Sequence, residues 1–529
     1  MALSLAHGQK ESLLVMVVFP TITSKNQFIE KPVKGKIYVY ERVPYYNPRI
    51  KNTSYHYRYV GKKENGQTRK VRSILPRRIL IHGPFIPIMG IVNAFGIEEM
   101  LKKHLTEYES MQIIAMAVSK VVRPLPASSL ETWFDGTSMS GSMNVNLESQ
   151  RISELLDRIG SSDLYRRFSS DLISRISAGN SMLYDITSLP SYGSAEILEY
   201  GHAKDHPELE QVNMSMILER SRRIPLSFEV YSGSIPDVVT LKRSVHTIKD
   251  AIPKIEIILD RGFFSHDNLD LLKDDSYIIA ASIVSKAVKN VFAKASRTVD
   301  RADNAIIYNN DPVFCKPVEF TMNDLQLRGY FYHDPRREID ERSDFHRKLA
   351  EKRSIVEKLQ VRPGVKDTVE SITSSYLRYF TWKVDNGRIT TRARNNAISA
   401  AENRMGKFLL VYSGDYTPLE CLSIYRDRDS IEKAFRTLKT DLDIFPMRKR
   451  KESTIRGTIF VFFLSLMIRN ALMRGMISTG LMKRYSLERM ILELEKLHVM
   501  EDQNGNLTEL ERTKKQKDIL EALDKISWW

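Results

Sequence analysis

Hydrophobic and polar positions alternate in short segments over residues 181–284, and the period of the alternation changes along the way. Two segments with a period of two flank the polar turn RSRR and predict an antiparallel β-hairpin. Two longer segments have apolar residues at helical spacing, and a short, continuous apolar run typical of a buried strand follows each of them. The predicted order is therefore three strands, helix, strand, helix, strand: SMLYDITSL, QVNMSMILE, IPLSFEVYSG, TLKRSVHTIKDAI, KIEIILD, SHDNLDLLKDD and SYIIAASIV.

This order of elements is that of an RNase H-like core. The first three strands are expected to be antiparallel neighbours, and the last two to be parallel strands joined by right-handed crossovers. Such a core is an α/β structure with a mixed five-stranded sheet flanked by helices, and it needs another helix after the fifth strand. Residues 425–439, YRDRDSIEKAFRTLK, contain no Pro or Gly and supply that helix if residues 285–406 are an insertion.

The rest of the chain divides by composition. Residues 285–406 combine extended stretches such as LRGYFYHD and LRYFTWKV with one charged helix, which predicts a β-rich insertion subdomain, and KFLLVYSG then resumes the core. We therefore expect six regions: a basic, Tyr-rich N-terminal region 1–95, a helical region 96–180, the core in two parts at 181–284 and 407–475, the insertion 285–406, and a helical C-terminal tail 476–529.

Tyrosines are interleaved with Lys and Arg in the N-terminal region. The alternation in KIYVYERV and YHYRYVG predicts strands. Aromatic rings beside cations suit nucleic acid, through stacking and phosphate contacts, and make this a candidate DNA-binding region. A β-hairpin whose tyrosines pack on one face explains the same pattern equally well.

The charge balance favours a polyanionic partner. The 529 residues include 80 Lys and Arg against 65 Asp and Glu, a net charge of +15, and such a surplus favours nucleic acid over a membrane surface. Cys315 and Cys421 are the only cysteines, so a zinc cluster or a disulfide framework is disfavoured. The apolar run 13–19 lacks the basic n-region and the Ala-x-Ala cleavage site of a signal peptide. The run 457–468 is too short to span a bilayer and is typical of a buried helix, and we expect a soluble, cytoplasmic protein associated with the nucleoid.

The charges of the 425–439 helix are arranged unusually. On an ideal helix Arg428, Glu432 and Lys439 fall within about 40° of one another, and Tyr425 widens this arc to about 60°. Arg436 lies one turn beyond Glu432. One interpretation is a solvated face whose i,i+4 ion pairs contribute about 0.2–0.5 kcal/mol each. The other is that Glu432 binds a metal while its basic neighbours hold DNA phosphates and Tyr425 orients a phosphate or packs on a sugar.

Two aspartates provide the partners that the second interpretation needs. Asp185 is predicted to close the first strand and Asp260 the fourth, and in this sheet those strand ends are adjacent. The helix that carries Glu432 packs beside them, so three carboxylates are predicted to converge. Three hard oxygen ligands suit Mg²⁺ or Mn²⁺, and two such ions about 3.5–4 Å apart can assist an in-line displacement at phosphorus. Each aspartate also has a structural interpretation, as a turn cap or as the partner of a neighbouring cation.

Together these segments resemble the DDE transposases of prokaryotic insertion sequences, in the group with a Tyr-(2)-Arg-(3)-Glu-(6)-Lys signature. Here the signature is Tyr425, Arg428, Glu432 and Lys439, with every gap intact. The segments YDITS, PLSFEVYSGSIPD and ILDRGFFS are similar to the regions around the two aspartates of that family. The resemblance covers residues 180–475 well and the N-terminal part more loosely.

The resemblance implies a catalytic and metal-binding triad of Asp185, Asp260 and Glu432 that uses two Mg²⁺ or Mn²⁺ ions. The implied reaction is cleavage at the transposon ends and strand transfer into target DNA, a cut-and-paste process that passes through a hairpin. The signature Arg and Lys would grip the non-transferred strand, and a Trp of the insertion, for which Trp382 is the candidate, would stack on a flipped base. The implied partners are double-stranded DNA (terminal inverted repeats and target) and a second copy of the chain in a synaptic complex, with no membrane.

Two other functions remain open at this level. An RNase H-like nuclease would use the same triad without strand transfer, although the basic residues around Glu432 exceed what hydrolysis alone requires. A non-catalytic DNA-binding protein derived from a transposase is the other alternative, and three converging acids argue against it. Metal-dependent cleavage separates these functions, whereas salt-dependent DNA binding is common to all of them.

Overall fold

The computed structural model describes residues 27–33, 36–47, 52–64, 67–70, 76–175, 179–201, 208–236, 239–283, 285–444 and 447–528. Two units are described separately: Met1–Arg77 together with Asp502–Asn506, and Arg78–Glu501 together with Leu507–Trp529. The apolar run near the N-terminus lies outside the described residues, as do His202 and His206, which are spaced like two metal ligands.

The tyrosine-rich segments of the first unit form an antiparallel sheet, as their alternation predicts. Its strands, in spatial order, are β1 (Gln27–Val33), β2 (Lys36–Asn47), β3 (Asn52–Glu64) and β4 (Gln67–Lys70). Tyr40 is paired with Tyr59, and Arg42 with Tyr57, so these side chains share one face of the sheet. On that face the Lys31 Nζ lies 4.4 Å from the centroid of the Tyr57 ring.

In the second unit, seven helices follow one short strand. The elements are β5 (Arg78–Ile81), α1 (Phe85–Ala94), α2 (Ile97–Lys102), α3 (Glu107–Val122), α4 (Ala127–Asp135), α5 (Met139–Ser142), α6 (Ser149–Ser161) and α7 (Leu164–Arg175). The helical region thus begins before the expected residue 96, because the apolar run of α1 already forms a buried helix. Pro87 lies in the first turn of α1, where its missing N–H has no intrahelical partner to lose.

The central sheet contains the predicted five strands in the predicted order. The elements are β6 (Ser181–Pro190), β7 (Gln211–Glu219), β8 (Pro225–Ser232), α8 (Leu241–Lys249), β9 (Glu256–Leu259), α9 (His266–Leu271) and β10 (Ser276–Ala280). The strands β6, β7 and β8 are antiparallel neighbours, whereas β9 is parallel to both β6 and β10. Their spatial order is β8-β7-β6-β9-β10, as expected for an RNase H-like sheet.

The sheet extends to nine strands, so the expected five-stranded sheet is too small. The next elements are α10 (Lys286–Ala295), β11 (Ala305–Tyr308), β12 (Asp311–Met322) and β13 (Leu325–His333). The strand Lys407–Ser413 pairs with β10 on one side and with β13 on the other, and β12 and β11 continue the sheet. These strands were expected in a separate subdomain. They join the core instead because β10 would otherwise leave an unpaired edge.

Residues 335–405 form a second, smaller hydrophobic core. Its elements are α11 (Pro335–Glu357), α12 (Val365–Thr373), β14 (Phe380–Asp385), β15 (Arg388–Ala393) and α13 (Asn395–Glu402). The buried residues of this core are Phe345, Leu349, Val356, Val369, Phe380, Ile389 and Met405. The part of the predicted insertion that has its own core is therefore three helices and one hairpin, and it is not β-rich.

Residues 425–439 form parts of two helices rather than the single helix expected. The elements here are β16 (Lys407–Ser413), α14 (Pro418–Arg426), α15 (Asp429–Thr440) and α16 (Glu452–Ser478). Two backbone hydrogen bonds between residues three positions apart span the junction: the Arg428 N–H donates to Tyr425 O, and the Ile431 N–H donates to Arg428 O. Helix α14 therefore ends at Arg426, one residue after Tyr425, and Arg428 caps α15, so the four signature residues do not share the single helical arc of 60° that was expected.

Helix α16 runs through the interior of the second unit. By length and composition it could cross a membrane, but 89% of its most hydrophobic window is buried inside the protein. The bent pair α3 and α4 passes the same test only if the two are counted together. Gly160 on α6 and Gly457 on α16 each face backbone of the opposite helix at distances that leave no room for a Cβ, so the two helices cross closely.

The C-terminal tail is not wholly helical. It contains α17 (Leu487–Glu495), β17 (His498–Glu501), β18 (Leu507–Glu509) and α18 (Lys514–Asp524). The strand β17 is paired antiparallel with both β5 and β18. The expectation of a helical tail is wrong at β17 because β5, far away in sequence, supplies its pairing partner.

Candidate active site

Asp185 is the fifth of the ten residues of β6. The prediction that it closes its strand is wrong, because pairing with β7 continues as far as Pro190. The neighbouring parallel strand β9 ends with Leu259 opposite Tyr184. The chain therefore leaves the sheet at Asp260, directly beside Asp185.

Asp260 is positioned by the tight turn that follows β9. It is the N-cap of a one-turn 3₁₀ helix, Arg261–Phe263. Phe263 is buried and packs edge to face against Tyr184, with the ring centroids 5.0 Å apart. This contact anchors the turn, and about a third of the Asp260 side chain, 35%, stays exposed.

Glu432 reaches the same place from helix α15. The apolar residues of α15 are buried on one side, whereas the Glu432 side chain is 47% exposed. The helix packs against β6, the strand that carries Asp185. Amphipathic spacing thus leaves the carboxylate free to approach the two aspartates. The residues buried by α15 are Ile431, Ala434, Phe435 and Leu438.

A single guanidinium contacts all three carboxylates. Arg428 Nη2 lies 2.6 Å from Glu432 Oε1. Arg428 Nη1 lies 3.5 Å from Asp185 Oδ2 and 3.8 Å from Asp260 Oδ2. The Arg428 and Asp185 side chains are each only 17% exposed. The structure therefore brings the three acids around one point, and the cation of Arg428 occupies that point.

Charges at this point are poorly solvated. Burial raises the pKa of Asp185 to about 7, although the Arg428 charge and the Ile186 backbone N–H oppose the rise, and the charges of Asp260 and Glu432 add to it. Burial alone would lower the pKa of Arg428, but the surrounding carboxylates more than offset it and the pKa is raised. A buried carboxyl that titrates near neutrality beside further acids is an environment that attracts positive charge.

Tyr425 supports Asp260 from the preceding helix. Its hydroxyl donates to Asp260 Oδ1 at 3.3 Å, and the Arg428 guanidinium carbon lies 5.8 Å from its ring centroid. Burial raises the pKa of Tyr425 to about 12, so the phenol stays a hydrogen-bond donor. The predicted orientation of a phosphate by Tyr425 would require this hydroxyl to be shared with Asp260 or to leave it.

The other predicted DNA-binding residues lie outside this cluster. Arg436 is exposed and Lys439 half-buried, one and two turns beyond Glu432 on α15. Trp382 is on β14 on the same face as Phe380, and it packs half-buried against the second core. The structure thus places Trp382 in the second hydrophobic core, residues 335–405, here called the small lobe.

One ion pair beside the site was not predicted from the sequence. Asp427 Oδ2 accepts from Arg220 Nη1 at 3.1 Å, and Arg220 Nε donates to the Ser181 hydroxyl at 2.8 Å. This network ties the junction between α14 and α15 to the start of β6. The signal available in the sequence was the run RDRD, whose first acid we assigned to a continuous helix.

The donor set fits a divalent metal ion, although the side chains are not arranged as ligands. Within the described part of the chain, no cluster of three or more His, Cys, Asp or Glu is positioned to hold an ion. The three carboxylates nevertheless supply only oxygen donors, which are the ligands that Mg²⁺ and Mn²⁺ prefer. They also share one contact with a cation, the Arg428 guanidinium. Metal binding would therefore require Arg428 to leave the centre of the triad.

Comparison with known proteins identifies the family. A search of curated proteins finds no match. One similar solved structure is the cryo-EM structure of a piggyBac transposase synaptic complex with hairpin DNA, which is 10% identical, covers 78% of this chain and 79% of that one, and has a TM-score of 0.37. The family model described as a transposase DDE domain matches residues 182–468, which include all three acids and Arg428. Since the match spans more than half of the 529 residues, the chain belongs to the DDE transposase family.

Proposed function

We propose that this protein cleaves DNA at transposon ends and transfers the freed strand into target DNA, in a cut-and-paste reaction with a hairpin intermediate. The observation that carries the proposal is the convergence of Asp185, Asp260 and Glu432 on the guanidinium of Arg428. We assign it to the insertion-sequence group with the Tyr-(2)-Arg-(3)-Glu-(6)-Lys signature, because the signature residues Arg428 and Glu432 are in direct contact.

Asp185, Asp260 and Glu432 are the residues that would hold two divalent ions, Mg²⁺ or Mn²⁺. Bound ions of this kind activate an attacking water or 3′-hydroxyl and stabilise the leaving oxygen at the scissile phosphate. The rigid strand β6 and the anchored turn after β9 would keep the two aspartates in register, because both are fixed by the central sheet. The half-exposed Glu432 is the ligand with most freedom to adjust.

The basic residues around the triad would bind the DNA backbone. Arg428 would exchange the three carboxylates for a phosphate, because a divalent ion and a guanidinium cannot share the same centre. Arg436 and Lys439 follow on the same helix and extend the contact along the strand. Trp382 would stack on an unpaired base with the exposed part of its indole, while the rest of the ring stays packed in the small lobe.

The proposed partners are double-stranded DNA, as terminal inverted repeats and as target, and a second copy of the chain. Two transposon ends must be cleaved and joined together, which favours a homodimer on DNA. The basic, tyrosine-rich sheet and the small lobe are proposed to contact the transposon ends. Such a protein would act in the cytoplasm, associated with the nucleoid.

The proposal is tested by strand cleavage of a labelled duplex that carries the terminal repeat of the element. In Mg²⁺ the wild-type protein should nick at the repeat end and then join that end to a second DNA. Glu432→Gln and Asp185→Asn should bind the same duplex but leave it intact. Lys433→Gln, an exposed neighbour whose ion pair is with Asp429, is the matched control and should cleave normally.

Each other outcome contradicts part of the proposal. Nicking without any joined product would show a nuclease rather than a transposase. Tight binding without cleavage in either Mg²⁺ or Mn²⁺ would show a DNA-binding protein. Normal cleavage by Glu432→Gln would remove Glu432 from the catalytic site.

A further inference from the structure

Four consecutive cations follow the helix that carries Glu432. Arg448, Lys449, Arg450 and Lys451, here called the basic segment, connect the end of α15 with the start of α16. Arg448, Arg450 and Lys451 are exposed, and Lys449 is half-buried.

The basic segment is held in a defined position at the end of β6. Met447 O accepts hydrogen bonds from the Ser191 hydroxyl and from the Tyr192 backbone N–H, both at 2.9 Å. Gly193 packs so closely that a Cβ there would lie 1.8 Å from Lys449 O. The guanidinium carbon of Arg448 lies 5.8 Å from the Tyr192 ring centroid. A segment anchored in this way presents its side chains at fixed positions, which lowers the entropic cost of binding a ligand.

Most of the positive charge of the segment is not neutralised. Lys451 is paired with Asp157 at 2.7 Å. Glu154, the other acid of α6 that faces the segment, bonds to Gln150 and Arg151 of its own helix. Arg448, Lys449 and Arg450 form no ion pair with any described residue. Three cations are therefore available to an anion from outside.

Two lysines in this region are also poorly solvated. Burial lowers the pKa of Lys449. Burial lowers the pKa of Lys120, on the neighbouring helix α3, to about 8; the charge of Asp443 opposes this shift and the charge of Lys449 adds to it. Positive charge is thus concentrated beyond what the local acids balance, and a bound anion would relieve it.

Strand β6 and helix α15 set the distance between the triad and the basic segment. The five residues from Asp185 to Pro190 span about 16 Å of strand, and the eight from Glu432 to Thr440 span about 12 Å of helix. Both elements lead from the triad to the basic segment. Since each strand of B-DNA has one phosphate per 3.4 Å of axis, a separation of about 12–16 Å corresponds to about four to five base pairs.

We infer that the basic segment binds the DNA backbone about four to five base pairs from the scissile phosphate, through Arg448, Lys449 and Arg450. This inference rests on the proposed function and adds a phosphate site to the triad, Arg436 and Lys439. Since these contacts are to phosphates, they set the register of the duplex in the active site without reading its sequence. The same DNA strand would pass along the exposed side of α15, where Arg436 lies between the two sites.

The test is phosphate-ethylation interference on terminal-repeat DNA, with wild-type protein and with the triple variant Arg448→Gln, Lys449→Gln and Arg450→Gln. The triple variant should lose interference at two or three phosphates about four to five nucleotides from the cleavage site and keep it at the scissile phosphate. The slope of log K against log salt should fall by about two to three, near 0.9 for each phosphate that the protein no longer neutralises. Lys514→Gln, Lys515→Gln and Lys517→Gln on the exposed side of α18 remove the same charge and should change neither result.

The outcomes separate this inference from the proposed function. Cleavage by the wild-type protein with an unchanged interference pattern in the triple variant would overturn the inference alone. Absence of cleavage and of any interference around the repeat end in the wild type would overturn the proposed function. Loss of self-association without DNA, measured by size-exclusion chromatography, would identify the segment as a protein interface and also overturn the inference. The single variant Arg450→Gln, at an exposed position, should give a partial effect if the triple variant does not fold.

Discussion

The guanidinium of Arg428 lies 2.6 Å from the carboxylate of Glu432, one helical turn away. Its other terminal nitrogen is within 3.8 Å of both Asp185 and Asp260. A residue predicted to hold DNA thus neutralises the acids of the proposed metal site. One side chain could satisfy both arrangements only by moving, so the proposed function predicts that metal binding and DNA binding are coupled through Arg428.

Replacement of Arg428 by Met should destabilise the metal-free protein and make it respond more strongly to Mg²⁺. Without the guanidinium, three carboxylates face one another, and we expect the free energy of unfolding to fall by about 1–3 kcal/mol, less than for a fully buried pair because Glu432 is half exposed. Mg²⁺ should restore more stability to this variant than to the wild type, because no cation has to be displaced. Thermal unfolding in EDTA and in Mg²⁺ measures both effects.

The matched control is Lys433→Met on the same helix, which breaks the exposed pair with Asp429 and should change the stability by less than about 1 kcal/mol. If Mg²⁺ stabilised the Arg428 variant and the wild type equally, Arg428 would not compete with metal ions.

The metal-free protein should become less stable as the pH rises, because of Asp185. Its pKa in the folded protein is about 7, above that of an unfolded aspartate, so the folded state holds the extra proton between about pH 4 and 7. The contribution to stability is present at low pH and is lost as the pH rises through 7. Relative to the wild type, Asp185→Asn should therefore gain about 1–3 kcal/mol between pH 5 and pH 8 in EDTA.

Chemical unfolding of both proteins across this pH range measures the difference. In Mg²⁺ the midpoint should move below pH 7, because ligation favours the ionised carboxylate. Parallel pH profiles of the two proteins in EDTA would contradict a raised pKa at Asp185.

Arg166→Ala should be among the most destabilising substitutions outside the active site. Arg166 donates to both oxygens of Glu229, at 2.8 and 3.0 Å, and the Glu229 side chain is completely buried. Loss of the guanidinium leaves a buried carboxylate without its ion-pair partner, which costs about 3–5 kcal/mol. The measurement is urea unfolding of Arg166→Ala and of the wild type at pH 8.

A suitable control is Arg151→Ala, because its pair with Glu154 is more than half exposed on both sides and contributes less than about 1 kcal/mol. Equal effects of the two substitutions would mean that the Arg166–Glu229 pair does not stabilise the contact between α7 and β8.

Gly457→Ala should separate helices α6 and α16. A Cβ at this position would lie 2.1 Å from the backbone oxygen of Leu156, and backbone cannot rotate away as a side chain can. We expect a loss of about 1–3 kcal/mol from overpacking, although alanine favours the helical conformation. Gly141→Ala, which meets only the Leu507 side chain at 3.6 Å, should be nearly neutral. If calorimetry showed no difference between the two variants, the close crossing would be wrong.

Much of the central sheet could be predicted because local patterns specify it. The alternation in QVNMSMILE and PLSFEVYS and the continuous apolar runs before Asp260 and at Ser276–Ala280 indicate strands by themselves. The handedness of the crossovers then restricts their order. The two aspartates follow from this order, since each comes from a strand whose neighbours in the sheet are already known. Glu432 comes from a helix and follows from its spacing to Tyr425, Arg428 and Lys439.

The features that could not be predicted depend on partners distant in sequence. No local sequence pattern specifies that β16 pairs with both β10 and β13, or that β17 pairs with β5. The break between Arg426 and Asp429 is similar: YRDRDSIEK has good helical propensity, and the contacts of Tyr425 with Asp260 and of Arg428 with Asp185 are tertiary. Asp185 ended up inside its strand because β7 continues to pair beyond it.

The sequence by itself therefore determined the identity and order of the core elements and the three acids, because periodicity and spacing are properties of neighbouring residues. Only the tertiary structure decided the width of the sheet, the division of the signature between two helices, and the position of Arg428 between the acids. These depend on the pairing of exposed strand edges and on the balance of buried charge. Both are free energies of contact between segments up to about 400 residues apart, such as β5 and β17, and no short stretch of sequence contains them.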